Sequence, residues 1–238
     1  MVILYSFIAA AAAMLGAILV LRFHKKAEKN SILIINFSAG VMLTIAFTHL
    51  IPEGIEANPS AHFYVLAGFL IMFFLQFVVL FHPCHDDECL THAKIGTPSV
   101  IGLSFHSLID GLIIAVGFEA NTGLGILTTL AVLLHKIPDG ITISGILLHT
   151  GATKNKILGF SLFTALFTPI GAILGMFLFK DIQPAVLGAL LAVAAGSFIF
   201  LAASDLIPET HKCKTRTAPL MLFIGAAVML ALEHLLHH

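Results

Sequence analysis

The chain of 238 residues is strongly apolar: 58% of its residues are hydrophobic, 11% are charged, and the mean hydropathy is +1.02. So little polar surface cannot cover a water-soluble globule of this size, which excludes an ordinary soluble enzyme. The net charge of −1 offers no basic face for nucleic acid. The composition therefore predicts an integral membrane protein whose surroundings are the lipid bilayer.

Long apolar stretches divide the chain into membrane spans. A spanning helix needs about 20 mostly apolar residues, because the hydrocarbon core is about 30 Å thick and a helix rises about 1.5 Å per residue. Eight stretches meet this length, roughly at 1–22, 31–52, 61–82, 97–118, 123–149, 156–179, 184–208 and 217–236. The breaks between them are too short for a second domain. We predict one all-α transmembrane domain over residues 1–238.

Basic residues predict how these spans are oriented, because cytoplasmic loops of membrane proteins collect lysine and arginine. Ten of the twelve basic residues fall in alternate breaks, and Lys180 lies in a break on the opposite side. The twelfth, Lys136, lies within span 5. This bias predicts a multi-pass protein of the cell (inner) membrane with both termini on the extracytoplasmic side.

Spans 2 and 7 share a sequence repeat. Ala39-Gly40 and His49-Leu-Ile-Pro-Glu53 recur 156 residues later as Ala195-Gly196 and Asp205-Leu-Ile-Pro-Glu209. With the orientation above, the two spans run in opposite directions, so spans 1–3 and 6–8 form inverted repeats around spans 4 and 5. A 3+2+3 bundle of this kind suits alternating access around a fixed midplane site.

The two middle spans carry ionisable side chains where hydrocarbon is expected, each at a cost of at least about 2.5 kcal/mol. His106 and Asp110 are four residues apart, which places them on one helix face, and His135 and Asp139 have the same spacing. A short turn joins the two spans, so the four side chains are expected to converge at similar depth. Two imidazoles and two carboxylates suit Zn²⁺, and also Fe²⁺, Mn²⁺, Co²⁺ or Cd²⁺.

The alternative for each histidine is a hydrogen-bonded residue of the core. Because the His-x-x-x-Asp pattern is doubled, we favour a metal site. Gly111, Pro138 and Gly140 lie beside these residues. They either loosen the backbone next to the ligands or serve as packing residues between helices, and the sequence leaves both readings open.

At these residues the chain resembles the ZIP family of zinc and iron transporters. His106-Ser-Leu-Ile-Asp-Gly111 and His135-Lys-Ile-Pro-Asp-Gly140 look like the family's paired His-Asn-x-x-(Glu/Asp)-Gly motifs. The resemblance extends to Ser38-Ala-Gly-Val-Met42 through Pro52-Glu53 and to the repeat in span 7, so it covers essentially the whole chain. It implies eight helices, outward termini and passage of a divalent metal, zinc first, into the cytoplasm.

Three positions depart from the family pattern, in which two adjacent metals are often bridged by the acidic residues. Ser107 stands in place of Asn, Lys136 stands where a ligand is expected, and Thr168 opens a segment that in relatives often reads Glu-Pro-x-Gly-Ala. An ammonium at Lys136 could supply the charge of the second metal. We therefore expect one principal metal, with Lys136 snorkelling or pairing elsewhere as the alternative.

Further polar residues are candidates for the transport pathway. They lie near the outer end of span 2 and the inner end of span 7, where they either collect and accept ions or are ordinary helix-end residues. These are His49 and Glu53 outside and Asp205, Glu209 and His211 inside. Met42 lies mid-span in span 2, where it either touches the metal or, as is more usual for methionine, packs.

The break at 82–95 is rich in metal-binding side chains and is predicted to be cytoplasmic. Its candidate ligands are His82, Cys84, His85, Cys89 and His92. Zinc-finger spacing is absent, which favours a weak, exchanging acceptor of metal over a structural site. The cysteines on this side are expected to stay reduced. The role of the histidine-rich end at 233–238 stays open.

Two other functions compete with metal transport. A membrane-embedded zinc-dependent hydrolase could also use His and Asp at midplane, but it has no need of inverted repeats. A haem-binding electron carrier has no need of a carboxylate one turn from each histidine. We predict a transporter, not an enzyme, with the metal ion as substrate, no organic cofactor and no nucleic-acid partner. Metal selectivity, proton coupling and a homodimeric assembly are left open.

Overall fold

The structure is a computed structural model that describes residues 1–80, 87–178, 184–208 and 217–236. Within these ranges every regular element is helical, as the composition and the long apolar stretches predict. The α-helices are α1 (Val2–Arg22), α2 (His24–Lys29), α3 (Ser31–Ile45), α4 (Ile51–Ala57), α5 (Ala61–Leu80), α6 (Asp87–Ala120), α7 (Thr122–His149), α8 (Lys154–Leu178), α9 (Pro184–Phe200) and α10 (Ala218–Leu236).

Seven helical segments in the described ranges are long and apolar enough to cross a membrane, which is the pattern of an all-α membrane protein. They are Val2–Arg22, Ser31–Ala57, Ala61–Val78, Ser99–Ala120, Thr122–His149, Lys154–Leu178 and Pro184–Leu206. The apolar part of α10, Ala218–Ala231, is shorter. An eighth span in α10 therefore stays a prediction. Large apolar side chains such as Phe73, Phe74 and Phe177 are exposed on the outside of the bundle, as expected for a surface that faces lipid.

The helix that carries His106 begins earlier than the sequence indicates. We expected span 4 to begin near residue 97, after a loop at 82–95, whereas α6 begins at Asp87. Residues 87–95 are therefore helical, and the loop assignment is wrong for them. The sequence offers a reason, because two acidic residues open this segment and neither Pro nor Gly follows before Gly96. Hydropathy underestimates such a polar extension of a membrane helix.

Two membrane helices contain a short π-helical segment at matching positions. One segment, Ala46–Leu50, continues α3 into α4 and contains His49. The other, Leu201–Leu206, extends α9 and contains Asp205. These segments coincide with the two copies of the sequence repeat. Because π turns often occur at functional positions in helices, their presence in both copies marks the repeat as more than a composition effect.

The helices pack in two groups. Helices α1, α6, α7 and α8 contact one another. In the second group, α9 contacts α5 and the continuous helix from α3 to α4, and α10 contacts α3. Close crossings within each group depend on glycine, because a Cβ at these positions would collide with a backbone carbonyl of the neighbouring helix. The pairs are Gly16 and Gly140 between α1 and α7, Gly111 and Gly171 between α6 and α8, Gly40 and Gly225 between α3 and α10, and Gly68 and Gly196 between α5 and α9.

These crossings decide the question that the sequence left open for Gly111 and Gly140. Each of them lies against a carbonyl of a neighbouring helix, Thr168 for Gly111 and Ala13 for Gly140. Helix α7 also continues without interruption through Pro138. The two glycines therefore serve as packing residues, and they fix the helix segments that carry the adjacent Asp110 and Asp139.

A tight turn places the two central helices side by side. Helix α6 ends at Ala120 and α7 begins at Thr122, with Asn121 as the N-cap between them. The Leu124 N–H donates to Asn121 Oδ1 at 2.8 Å, which satisfies one of the open amides at the start of α7. The helices therefore run antiparallel, and positions equally far from Asn121 lie at the same depth.

Replacing Gly225 by alanine should destabilise the protein, because its new Cβ would meet the carbonyl of Phe37. Overpacking of this kind typically costs about 1–3 kcal/mol. Thermal unfolding in detergent, followed by circular dichroism, should show a clearly lower melting temperature than for the unmodified protein.

Gly159→Ala is the matched control, since nothing lies within 4 Å of a Cβ at this helical position. It should leave the melting temperature unchanged or raise it, because alanine is the better helix former. Equal effects of the two substitutions would contradict the close-crossing interpretation.

Candidate metal centre

Four side chains from α6 and α7 meet inside the bundle. His106 and Asp110 come from α6 and His135 and Asp139 from α7, and each contributes one nitrogen or oxygen that lies within 4.8 Å of the other three. All four residues are buried, with relative exposures of 0%, 1%, 1% and 5%. The i,i+4 spacing on each helix and the antiparallel turn at Asn121 together account for this convergence.

Asp110 is the central member of the cluster. Its Oδ2 lies 3.2 Å from Nε2 of His106, and its Oδ1 lies 3.4 Å from Nε2 of His135. The carboxylate of Asp110 therefore faces both imidazoles. Its Oδ2 also contacts the ammonium of Lys136. An ion between the two imidazoles would meet this carboxylate first.

Lys136 is fully buried beside the same carboxylates. Its Nζ lies 2.6 Å from Oδ2 of Asp110 and 3.3 Å from Oδ2 of Asp139, and it donates to Oγ of Ser107 at 3.0 Å. Ser107 and Lys136 are the two residues at which the motifs depart from the family pattern. Ser107 and Lys136 contact each other next to the four candidate ligands.

Several polar atoms of the cluster have no hydrogen-bond partner among the described residues. They are Nε2 of His106, both ring nitrogens of His135 and Oδ1 of Asp139. Buried polar atoms of this kind are rare, because an unmade hydrogen bond in a protein interior costs about 1–3 kcal/mol. Nitrogen and oxygen atoms left unpaired around one point are the donor set of a transition-metal site.

Helix α9 contributes two residues to the centre that the sequence did not single out. Oγ of Ser197 lies 3.2 Å from Nδ1 of His106. The ring of Phe198 stacks on His106 with centroids 3.6 Å apart and meets His135 edge-on at 5.5 Å. Phe198 could have been predicted from the sequence repeat. It stands 156 residues after Met42, which is a candidate for contact with the metal.

The other residues predicted for the pathway have their own packing and polar contacts. Met42 is buried within the large hydrophobic cluster of the bundle. In the first π segment, Nδ1 of His49 lies 3.3 Å from Oε1 of Glu53. In the second, Oδ1 of Asp205 accepts a hydrogen bond from Nε2 of Gln76 on α5 at 2.6 Å, a partner that the sequence did not indicate.

A cavity of about 340 Å³ opens beside Glu53. Its lining includes Glu56 and comes from α4 and the first turns of α7 and α9, with Leu124 and Leu191 on the other sides. The predicted orientation puts this cavity at the extracytoplasmic end. Two carboxylates therefore line an opening at the end of the bundle that is predicted to be extracytoplasmic.

Some of the predicted residues lie outside the described part of the chain. They are Glu209 and His211 in the predicted inner mouth and His82, Cys84 and His85 in the predicted cytoplasmic loop. Cys89 and His92 fall in the first two turns of α6. The roles predicted for these residues stay predictions.

The buried centre and the apolar helices define a helical membrane protein with a polar site in its core. The model of the family described as ZIP zinc transporter matches residues 81–233, which is more than half of the chain. The chain belongs to this family, as its motifs predict. The family is one of transporters, which agrees with the prediction of a transporter and disfavours the membrane-embedded hydrolase.

Individual relatives match over different shares of their length. The chain is 36% identical over 115 residues to the uncharacterized zinc transporter P8A3.03 of Schizosaccharomyces pombe, covering 44% of this chain and 25% of the relative. It is 31% identical over 170 residues to zinc transporter SLC39A7 of Rattus norvegicus, covering 64% and 36%. Zinc transporter YKE4 of Saccharomyces cerevisiae is 23% identical over 257 residues, covering 90% and 74%. The chain thus spans well under half the length of the first two relatives.

Asp110→Asn should destabilise the metal-free protein, because the ammonium of Lys136 loses its nearest counter-charge while staying buried. Breaking a buried ion pair from one side typically costs about 3–5 kcal/mol. Thermal unfolding in detergent with a chelator present measures this loss without involving metal.

Adding Lys136→Met to Asp110→Asn should restore most of the lost stability, since the unpaired buried charge is then removed. Asp139→Asn alone should cost less, because its oxygen lies 3.3 Å from Nζ instead of 2.6 Å. A double variant as unstable as Asp110→Asn would contradict the ion pair.

Proposed function

We propose that the chain carries a divalent transition metal, zinc first, across the membrane into the cytoplasm through the centre formed by His106, Asp110, His135 and Asp139. The observation that carries the proposal is the convergence of their ligand atoms within 4.8 Å in a fully buried place. Membership of the ZIP family and the chain's similarity to relatives named as zinc transporters support the choice of substrate.

The donor set favours a borderline or hard divalent ion. Two imidazole nitrogens and two carboxylate oxygens bind Zn²⁺ at about 2.0–2.2 Å in a tetrahedral arrangement. The same donors accept Fe²⁺, Mn²⁺, Co²⁺ and Cd²⁺, and affinity order alone does not set selectivity. Sulfur is absent from the four, so the site has no special preference for Cu⁺.

The charges at the centre support one metal instead of two. Two carboxylates and the ammonium of Lys136 leave one net negative charge when both imidazoles are neutral. One divalent ion turns this net charge into one positive charge, whereas a second ion would raise it to three positive charges among buried side chains. Since buried net charge is costly, we propose that Lys136 takes the place of a second metal.

Entry of the metal requires a rearrangement of Lys136. Its Nζ now lies 2.6 Å from Oδ2 of Asp110, an oxygen that also faces Nε2 of His106. We propose that the incoming ion binds the carboxylate of Asp110 and so displaces the ammonium of Lys136 from it. The ammonium keeps its contacts with Asp139 and Ser107. When the ion leaves, Lys136 returns and the empty centre again holds paired carboxylates.

Matching features in the two halves support alternating access by a 3+2+3 inverted repeat. Each half has a π segment in the repeat helix, and Gly40 and Gly68 in the first half correspond to Gly196 and Gly225 in the second. The crossing of α3 on α10 thus corresponds to that of α9 on α5. Two near-equivalent halves can exchange which side is open around a fixed site.

We propose that ions enter past His49 and Glu53 and leave past Asp205 toward Glu209 and His211. The cavity at Glu53 and Glu56 supports an entrance at this end, because carboxylates raise the local concentration of cations. The placement of basic residues supports the inner-membrane orientation with both termini outside. The His/Cys segment that begins at His82 would then receive the ion in the cytoplasm.

Replacing any of the four candidate ligands by alanine should reduce zinc uptake into sealed vesicles at least about tenfold. Even changes outside the first coordination sphere cost this much at metal sites. Uptake is measured with the purified protein in vesicles, with the amount of inserted protein determined for each variant.

Ser104→Ala is the control for this series, because it removes a buried hydroxyl on α6 whose contacts are the Val100 carbonyl and the hydroxyl of Thr164 on α8. It should transport at nearly the unmodified rate. Wild-type uptake after any two of the ligand substitutions would refute the site, and zinc binding without any flux would favour the enzyme alternative.

Metal analysis of the purified protein should find one tightly bound ion per chain at the centre. The reason is the charge of Lys136, which a second ion would have to displace. Anomalous scattering at the zinc edge locates the ions, and two tightly held ions sharing Asp110 and Asp139 would contradict the proposal.

A further inference from the structure

The hydroxyl of Ser197 makes two contacts that together constrain His106. Its Oγ donates to the carbonyl oxygen of Ala194 at 2.7 Å and lies 3.2 Å from Nδ1 of His106. Both Ser197 and His106 have a relative exposure of 0%. Water therefore has no access to this contact, and each proton in it needs a protein partner.

A hydroxyl group has one proton to donate and two lone pairs to accept with. The proton of Ser197 is used on Ala194, its shorter contact, so toward His106 its Oγ can only accept. The proton in that contact must then belong to Nδ1 of the imidazole. In a neutral ring this leaves the lone pair on Nε2.

The contacts of Nε2 agree with this assignment. Nε2 of His106 lies 3.2 Å from Oδ2 of Asp110, but the two atoms are not aligned for a straight N–H···O hydrogen bond. A lone pair that faces a carboxylate oxygen is repelled by it until a cation stands between them. The opposite tautomer would direct an N–H at Asp110 and would turn the residue from a ligand into a hydrogen-bond donor.

We propose that Ser197 is a positioning residue that fixes His106 with its proton on Nδ1 and so keeps Nε2 available to a divalent cation. Metal-binding histidines commonly donate their second ring N–H to a protein acceptor, which sets the tautomer and the ring orientation. The assigned tautomer follows from the contacts of Ser197, and only the identity of the cation rests on the proposed function.

Phe198 restrains the same ring from its face. Its ring is 29° from parallel to His106 and stacks at 3.6 Å, so the imidazole cannot turn over without displacing it. Two adjacent residues of α9 thus hold His106, which itself belongs to the other helix group. The lone pair of Nε2 is presented only while α9 and α6 keep their present register.

Nitrogen-15 NMR of the metal-free protein tests the tautomer directly. The protein is labelled at its histidines, and the signals of His106 are identified by their loss in His106→Gln. We expect the shift of a protonated nitrogen at Nδ1 and of an unprotonated one at Nε2. A proton on Nε2 in the unmodified protein would overturn the proposal, and this result needs no serine variant to fold.

Variants at Ser197 test whether its hydroxyl fixes the tautomer of His106. Ser197→Ala should lose the fixed tautomer and bind Zn²⁺ about 10–100-fold more weakly by calorimetric titration, the range found for outer-shell changes. Ser197→Thr, which keeps the hydroxyl, should restore the Nδ1–H signal. Ser104→Ala removes a similar hydroxyl-to-carbonyl bond on α6 and should change neither readout.

The two readouts separate this proposal from the transport function. Loss of the Nδ1–H signal in Ser197→Ala supports the role of Ser197 even if the protein binds no zinc, in which case the metal assignment fails instead. An unchanged tautomer and unchanged Zn²⁺ affinity in Ser197→Ala would overturn the role of Ser197 and leave the metal assignment intact.

Discussion

The ammonium of Lys136 and the carboxylates of Asp110 and Asp139 are buried together inside a bundle whose outer surface is apolar. Charges in such a place are tolerated only when they pair, and each residue in the cluster therefore constrains the others. The pairing explains why the departures at Ser107 and Lys136 occur together. It also stabilises the two carboxylates inside the bundle.

The surrounding helices keep this centre in place by close backbone packing. Gly111 lies one residue after Asp110 and Gly140 one residue after Asp139, and each lies against a carbonyl of a neighbouring helix. Helix α9 reaches the centre from the other helix group through Ser197 and Phe198. The centre thus lies where the two groups meet, so a shift between the groups would change the surroundings of His106 without unfolding either group.

The sequence predicted the parts that depend on local spacing. Apolar length predicted the seven segments that are long enough to cross a membrane, and the four-residue spacing with a short turn predicted the meeting of His106, Asp110, His135 and Asp139. It failed at the start of α6, because a polar helical extension has no hydropathy signal. It also missed Ser197, Phe198 and Gln76, since their contacts depend on how α5 and α9 pack against distant helices. Only Phe198 could have been found, through its equivalence to Met42.

X-ray absorption at the zinc edge, on protein loaded with one equivalent of Zn²⁺, shows which atoms surround the ion. We expect nitrogen and oxygen neighbours at about 2.0–2.2 Å and the outer-shell signature of imidazole, and this imidazole signature should be lost when His106 and His135 are replaced. Two or more sulfur neighbours at the thiolate distance of about 2.3 Å would place the ion at cysteines instead. That result, or an imidazole signature that survives the double replacement, would contradict a metal centre between α6 and α7.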